Sequence, residues 1–405
     1  MNTGDTAFML IATALVMLMT PGLALFYGGL VRQKNVLATI MQSFACLGIV
    51  SIIWIGYGYS LAFGPDMGGF IGSLQWMGLK GVGLQPGPYA DSIPDLLFCA
   101  FQLMFAIITP ALITGAYAER MKFTAFVLFT ILWSTFVYMP ICHWVWGAGG
   151  WLGKLHALDF AGGTVIHINS ACAALAAALV LGKRKGWGRE PFHPHNLPMT
   201  ILGAGILWFG WFGFNAGSAL SASSVAVLAF FTTQIATGAG LLSWVVTEWK
   251  VQGKPTTLGA ASGALAGLVA ITPAAGFVGP LSAIIIGLLA GSLCYLAVLM
   301  KNRLGYDDAL DVVGVHGVGG LWGALATGLF ASTYWNPDGA NGLFFGNPHQ
   351  FVIQAIGAGA SIAYSFIVSL VILKIVDMVI GLRVSEEDEI TGLDLTQHSE
   401  IGYTQ

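Results

Sequence analysis

The stretch DFAGGTVIHINSACAALAAALVLGKRKG, residues 159–186, indicates the fold class because it places one histidine, His167, in a long run of apolar and very small residues. A second stretch, DVVGVHGVGGLWGALATGLF at residues 311–330, repeats this arrangement around His316. Apolar runs of this kind are typical of helices that cross a lipid bilayer, which takes about 20 residues. Both histidines are therefore predicted to lie inside membrane-spanning helices.

The composition of the whole chain indicates the same class. Of its 405 residues, 56% are hydrophobic and only 9% are charged, whereas a soluble domain carries about 25% charged residues. The sequence therefore predicts an all-α polytopic membrane protein. The net charge of -3 is too small to indicate a nucleic-acid partner.

Charged and turn residues divide the chain into eleven apolar segments. The predicted spans are 6–31, 36–63, 94–118, 123–147, 162–182, 198–217, 222–248, 256–276, 278–300, 308–332 and 349–380. They form a transmembrane domain, 1–380, followed by an acidic cytoplasmic tail, 381–405. The composition of the tail predicts a solvated and mobile segment. The N-terminus has no basic region typical of a signal peptide.

The positions of the basic residues predict the orientation of the spans, because Lys and Arg collect in cytoplasmic loops. With the N-terminus outside and the C-terminus inside, only Lys80 and Lys154 are outside. The other fourteen of the sixteen bases are then inside: Arg32, Lys34, Arg120, Lys122, Lys183, Arg184, Lys185, Arg189, Lys250, Lys254, Lys301, Arg303, Lys374 and Arg383.

Eleven spans allow two inverted repeats of five helices and one additional helix. Repeats of this kind place the functional site near the membrane midplane, between the halves. His167 and His316 would then lie on spans five and ten, the equivalent last helices of the two halves.

A histidine in an apolar helix can be purely structural, but an ionisable side chain inside a membrane usually faces a pathway. Small residues flank both histidines, so their helices can approach closely. We therefore expect the two imidazoles to come within hydrogen-bonding reach and to line a path for a small uncharged solute. No metal-ligand spacing accompanies either histidine, and the five cysteines lie singly in apolar runs, so neither a metal, nor a cofactor, nor a disulfide is expected.

Long segments of the sequence resemble the Amt/Rh ammonium transporter family, on its bacterial and archaeal Amt branch. They are DFAGGTVIH (159–167), MTPGLALFYGGLVRQKN (19–35), WFGFNAGSA (211–219), KPTTLGAASGALAGLVAITPA (254–274) and DVVGVHGVGG (311–320). The resemblance implies a homotrimer in the cell membrane, each protomer with its own ammonium-conducting pore lined by a twin-histidine pair. It also implies that methylammonium is accepted and that a PII-type signalling protein docks at the cytoplasmic face, where Arg383 matches the family.

The resemblance also assigns roles to residues outside the histidine pair. Ammonium recruitment is implied for Phe105, Trp146 and Ser218, and a phenylalanine gate for Phe105 and Phe214. Asp159 is implied to orient the carbonyl groups of Ala161 and Gly162 and to take part in proton release.

Other residues are expected to have structural roles only. Trp144 and Trp151 are predicted to lie in an aromatic belt at the membrane interface. The three acids Asp307, Asp308 and Asp311 are predicted to cap span ten.

Three alternative functions remain open on the sequence. An ammonium sensor would use the same pore as a ligand site, although only about twenty-five residues follow the last span. A neutral channel for water, urea or gas would not need Phe105, Trp146 and Ser218 together. An enzyme is disfavoured because no nucleophile–base set appears.

Overall fold

The structure, a computed structural model, describes residues 1–403 of the chain. The helices that follow the predicted spans are α1 (Thr3–Leu30), α2 (Gln33–Phe63), α3 (Asp95–Tyr117), α4 (Phe123–Lys154), α5 (Gly163–Leu181), α6 (Leu197–Gly217), α7 (Ser224–Gln252), α8 (Thr257–Ile271), α9 (Pro280–Leu304), α10 (Val313–Phe330) and α11 (Pro348–Ile380). Within residues 1–403, ten helices are long and apolar enough to cross a bilayer. The shorter α8 has 15 residues. The predicted all-α polytopic class is confirmed, whereas the count of eleven spans and their direction stay predictions.

The connection between α2 and α3 contains two small antiparallel hairpins. They pair β1 (Asp66–Met67) with β2 (Ile71–Gly72), and β3 (Pro86–Gly87) with β4 (Ala90–Pro94). This connection covers the adjacent end of α4, where Trp144 Nε1 donates to the carbonyl oxygen of Phe70 at 2.8 Å. Trp144 is buried, so its predicted place in an aromatic belt is wrong, while Trp151 is partly exposed.

The packing of the first five helices resembles that of the next five. Helix α1 packs along α6 and α5 along α10, while the α1–α3 and α2–α4 contacts have counterparts in α6–α8 and α7–α9. At the α1–α6 contact, a Cβ on Gly203 would lie 2.6 Å from the carbonyl oxygen of Gly22, so the two backbones touch there. Two five-helix repeats of opposite direction would produce this pattern.

Helices α5 and α10 begin in the same unusual way. The first turn of each is a wide π turn, Gly163–Ile168 and Val313–Val318, and each contains the histidine. Single π turns inside α-helices are rare and occur frequently at functional sites. A Cβ on Gly320 of α10 would lie 2.9 Å from the Cβ of His167, so this glycine allows the close contact between the helices.

At the opposite end of the bundle from the hairpins, buried ion pairs join several loops. Glu119 accepts from Arg32 and Arg184, each at 3.0 Å, and Arg184 also forms a bidentate pair with Asp307 at 2.9 Å. Burial opposes ionisation of Glu119, but the two guanidinium groups outweigh it and hold its pKa below the ordinary value. Asp307 thus pairs with Arg184, and its predicted role as a cap of α10 is wrong.

The other two acids of this region behave differently from each other. Asp308 Oδ2 accepts from the Val313 backbone N–H at 2.7 Å, so it caps α10 as predicted. Asp311 lies at a positive φ of 63° and pairs with Lys301. Its carboxylate therefore ties α10 to α9 instead of capping a helix.

The acidic tail is folded against the same end of the bundle. It forms two short helices, α12 (Glu386–Thr391) and α13 (Leu393–His398). Glu389 is buried and accepts from Arg383 Nη2 at 2.7 Å and from the Lys185 backbone N–H at 2.6 Å. Asp394 accepts from the Ala38 backbone N–H at 2.8 Å. The prediction of a mobile tail is wrong for residues 381–403, because its acids find partners in neighbouring loops, and residues 404–405 lie outside the described residues.

Candidate functional site

His167 and His316 face each other inside the protein. Their Nδ1 atoms are 3.2 Å apart, and their ring planes differ by 24° with centroids 5.2 Å apart. Both side chains are buried, with 1% and 6% of their surface exposed. In a neutral pair one Nδ1 carries the proton and donates, while the other accepts, so the two rings share one proton between them.

The opposite edge of the His167 ring is free. Its Nε2 is buried and has no hydrogen-bond partner among residues 1–403. The ring stacks on that of Trp211 with centroids 5.5 Å apart. Because an unpaired buried polar atom costs free energy, Nε2 offers a hydrogen-bonding position to a small polar solute.

A series of four cavities runs past the histidine pair. The cavity at the hairpin end of the bundle has a volume of about 280 Å³, two small cavities beside His316 have about 20 and 60 Å³, and the cavity at the tail end has about 620 Å³. They are called the outer and the inner cavity after the predicted orientation of the spans. The two small cavities share Phe26, Tyr27, Leu265 and His316. The second small cavity and the inner cavity share Leu30, Leu258, Leu310 and Asp311. The arrangement is a narrow and mostly apolar conduit between two wider mouths.

Phe105 and Phe214 separate the outer cavity from the first small cavity. Their ring centroids are 4.4 Å apart, and each side chain is 1% exposed. Phe105 lines the outer cavity and Phe214 lines the small one. Because the rings are in contact, a solute that passes between these cavities must displace them. Phe214 lies in the last turn of α6, which ends at Gly217.

The structure places the other two predicted recruitment residues, Trp146 and Ser218, beside Phe105 in the lining of the outer cavity. The rings of Phe105 and Trp146 meet edge to face at 88°, with centroids 5.9 Å apart. Ser218 Oγ donates to the carbonyl oxygen of Phe214 at 2.8 Å, so its lone pairs remain as acceptors. Aromatic faces attract a cation by about 0.5–2 kcal/mol, and a hydroxyl oxygen accepts an N–H group.

The Asp159 carboxylate binds the turn that carries His167. Its Oδ1 accepts from the N–H groups of Gly162 and Gly163 at 2.9 and 2.6 Å, and its Oδ2 from those of Thr164 and Val165 at 2.8 and 3.1 Å. The first four N–H groups of a helix lack acceptors within the helix, and this carboxylate serves as the acceptor for all four.

Backbone groups around Asp159 connect the outer cavity with the histidine. The carbonyl oxygen of Asp159 accepts from Trp146 Nε1 at 2.8 Å, and that of Gly162 accepts from the His167 N–H at 3.1 Å. Gly162 has φ +117°, a conformation that glycine adopts without strain, and Ala161 beside it is fully buried. A displacement of Asp159 would therefore move both Trp146 and the first turn of α5.

Sequence reasoning missed three features of this region. Asp308 stands eight residues before His316, as Asp159 stands eight residues before His167, and this shared spacing was visible in the sequence. Trp211 stacks on His167 and donates from Nε1 to Thr272 Oγ1 at 2.9 Å. Gln102 lines the outer cavity. No spacing distinguishes Gln102 from an ordinary core residue, and Trp211 stands in the motif WFGFNAGSA without a role assigned to it.

Comparison with known proteins gives concordant matches over nearly the whole chain. The sequence model of the Ammonium Transporter Family matches residues 7–403. An ammonium transporter of Bacillus subtilis (strain 168) is 55% identical over 404 residues, which cover 100% of this chain and 99% of that protein. The crystal structure of Saccharomyces cerevisiae Mep2 matches with a TM-score of 0.89 at 38% identity and covers 96% of this chain and 88% of that one. A structure described as a sensor Amt protein matches with a TM-score of 0.89 at 30% identity, with 98% of both chains covered.

Proposed function

The chain belongs to the ammonium transporter family, and we propose that it binds ammonium in the outer cavity, removes one proton and conducts ammonia past His167 and His316. The family membership expected from the sequence motifs is confirmed. The protein is an ammonium transporter and a multi-pass protein of the cell membrane. The path and the chemistry of transport are the proposal.

The observation that carries the proposal is the contact of His167 and His316 at 3.2 Å within an apolar conduit. Burying an unpaired ion in apolar surroundings costs far more than burying a neutral polar molecule. Ammonia avoids this cost and can form hydrogen bonds with the free edges of the two imidazoles. A conduit of this kind therefore favours ammonia over ammonium.

Recruitment of the charged form is proposed for the outer cavity. Phe105 and Trp146 offer aromatic surfaces to a cation that loses part of its hydration shell, and Ser218 Oγ can accept one N–H bond. A neutral channel for water, urea or gas would gain nothing from a cation site. The outer cavity thus supports ammonium as the species that is recognised.

Deprotonation is proposed between the outer cavity and the phenylalanine gate, formed by Phe105 and Phe214. The released proton would travel separately through the His167–His316 pair, which already shares one proton and can accept at one ring while donating at the other. Asp159 supports this step by fixing the turn that carries His167, and we propose that it also takes part in proton release. Transport is then electrogenic, because one charge crosses the membrane with each ammonia.

We expect purified protein in liposomes to give a transient current after an ammonium pulse, and methylammonium to compete with ammonium. An entrapped pH dye, recorded in parallel, reports ammonia that enters without a proton, because such ammonia takes up an internal proton and raises the internal pH. Ammonia entry without current would refute the proton relay, and neither signal would refute transport. Empty liposomes provide the baseline for passive ammonia diffusion.

Assembly as a homotrimer and docking of a PII-type signalling protein are proposed from family membership. The ordered tail supports the docking proposal. The Arg383 guanidinium donates to the Glu389 carboxylate and to the carbonyl oxygens of Leu181 and Lys183. These bonds hold α12 against the loop that follows α5. A partner that docks on α12 would therefore also contact the loop that follows α5, which supports the proposal.

Replacing Arg383 with alanine is expected to weaken PII binding about tenfold, the effect of losing roughly 1.4 kcal/mol. The reason is that the ordered position of α12 depends on several charge-assisted bonds from this guanidinium. Binding to immobilised protein would be measured, with the exposed Arg303→Ala as a matched control. Equal affinities of the two variants would contradict the proposed role of the tail.

The likeness to a sensor Amt protein favours sensing as the second candidate function. A sensor could bind ammonium in the same outer cavity without conducting ammonia. The liposome experiment separates the two candidates, since only transport gives current and ammonia entry.

A further inference from the structure

Gln102 stands out among the residues that line the outer cavity. Gln102 lies on the same face of α3 as two phenylalanines of this lining. Phe98 precedes it by four residues and Phe105 follows it by three. Its side chain is 8% exposed, and its Oε1 is buried without a hydrogen-bond partner among residues 1–403. The amide is therefore an unused polar group in a mainly aromatic lining.

The other polar groups of this lining already have partners. Tyr89 OH donates to the carbonyl oxygen of Phe63 and accepts from the Ala148 N–H, and Trp146 Nε1 is bound to Asp159. Ser218 Oγ donates its only proton to the carbonyl oxygen of Phe214. Leaving a buried amide unpaired costs free energy, so a group that binds in the cavity can recover this cost.

We propose that the Gln102 side-chain amide rotates its buried oxygen into the outer cavity, that this oxygen accepts a hydrogen bond from ammonium there, and that the bond distinguishes ammonium from alkali metal cations. The proposal rests on the recruitment step described above. Aromatic surfaces attract any monovalent cation and carry little directional information. Ammonium has four N–H donors in fixed directions, so it can donate to two separate acceptors of the same lining, Ser218 Oγ and the Gln102 amide oxygen, whereas an alkali metal cation forms no hydrogen bonds.

The chain offers a matched control in Gln42. This glutamine is also buried, and its Oε1 also lacks a partner among residues 1–403, but it lies on α2 outside the lining of the outer cavity. Leucine has nearly the volume of glutamine without its amide. Gln102→Leu and Gln42→Leu therefore remove the same chemistry from two different places.

Ammonium binding is measured without transport, as the thermal shift of the purified protein in ammonium chloride compared with potassium chloride at equal ionic strength. The wild type and Gln42→Leu are expected to show an ammonium-specific rise in Tm. Gln102→Leu is expected to need about tenfold more ammonium for the same rise, in line with the loss of a hydrogen bond to a charged group. Its Tm without ammonium should not fall, because the removed amide had no partner.

Two results would overturn the inference. One is an equal ammonium dependence of Gln102→Leu and Gln42→Leu, and the other is the absence of any ammonium-specific shift in the wild type. Current and ammonia entry in liposomes test the proposed function separately. If the protein transports ammonium but gives either of these results, the role of Gln102 is refuted and the proposed function is not.

Discussion

Replacing both His167 and His316 with alanine is expected to abolish the ammonium-evoked current in liposomes, with a reduction of roughly 10²-fold or more, the usual scale for losing a positioned acid–base group. The physical reason is that the shared proton at the Nδ1–Nδ1 contact has no other carrier nearby. The lining of the first small cavity offers no other imidazole and no carboxylate, and the second adds only Asp311, whose carboxylate pairs with Lys301. Current recorded on a solid-supported membrane after an ammonium pulse measures this effect.

The double variant is preferable to either single one. Removing one ring leaves the other with an unpaired buried nitrogen, and the resulting loss of stability would confuse the interpretation. His349→Ala is a suitable control because this histidine is exposed, in the first turn of α11. Assembly is checked by size-exclusion chromatography. A double variant that assembles and retains wild-type current would contradict the relay.

The fold was largely predictable because the membrane imposes the length and the apolar character of each helix. The predicted span 94–118 is the helix Asp95–Tyr117, and 349–380 is Pro348–Ile380. One clear error is at the start of span ten, predicted at residue 308, whereas α10 begins at Val313. Leu310 and its neighbour form backbone bonds with the end of α3 instead. Such bonds between distant segments leave no trace in hydropathy.

The candidate site was predictable only in part. Two histidines in apolar helices of opposite predicted direction indicated a shared path, since ionisable residues are rare there. The roles of Phe105 and Phe214 came from family resemblance, because periodicity alone would place both either against lipid or in the core. The π turns and the unpaired amide of Gln102 depend on tertiary packing, and no local pattern predicts them. The tail was misread because composition does not report which partners an acidic side chain meets.

Replacing Asp159 with asparagine is expected to lower stability by about 3 kcal/mol and to abolish transport. The carboxylate accepts two N–H bonds at each oxygen. Asparagine has one carbonyl oxygen, so its NH₂ group must face one pair of these N–H donors, and two charge-assisted bonds are lost at about 1.5 kcal/mol or more each. Thermal unfolding in detergent measures the first effect, and ammonium-evoked current measures the second.

The expected loss of transport in Asp159→Asn follows from the place of Asp159 between Trp146 and His167, and not only from the lower stability of the variant. Asp159 binds Trp146 of the outer cavity through its backbone and the first turn of α5 through its side chain, so a shift of this loop misplaces His167 relative to His316. Asp91→Asn, at an exposed position on β4, is the control for removing one acidic charge near the same end of the bundle. The two effects can be separated at low temperature, where both variants remain folded. Wild-type current from folded Asp159→Asn would show that this carboxylate is a structural cap alone and takes no part in transport.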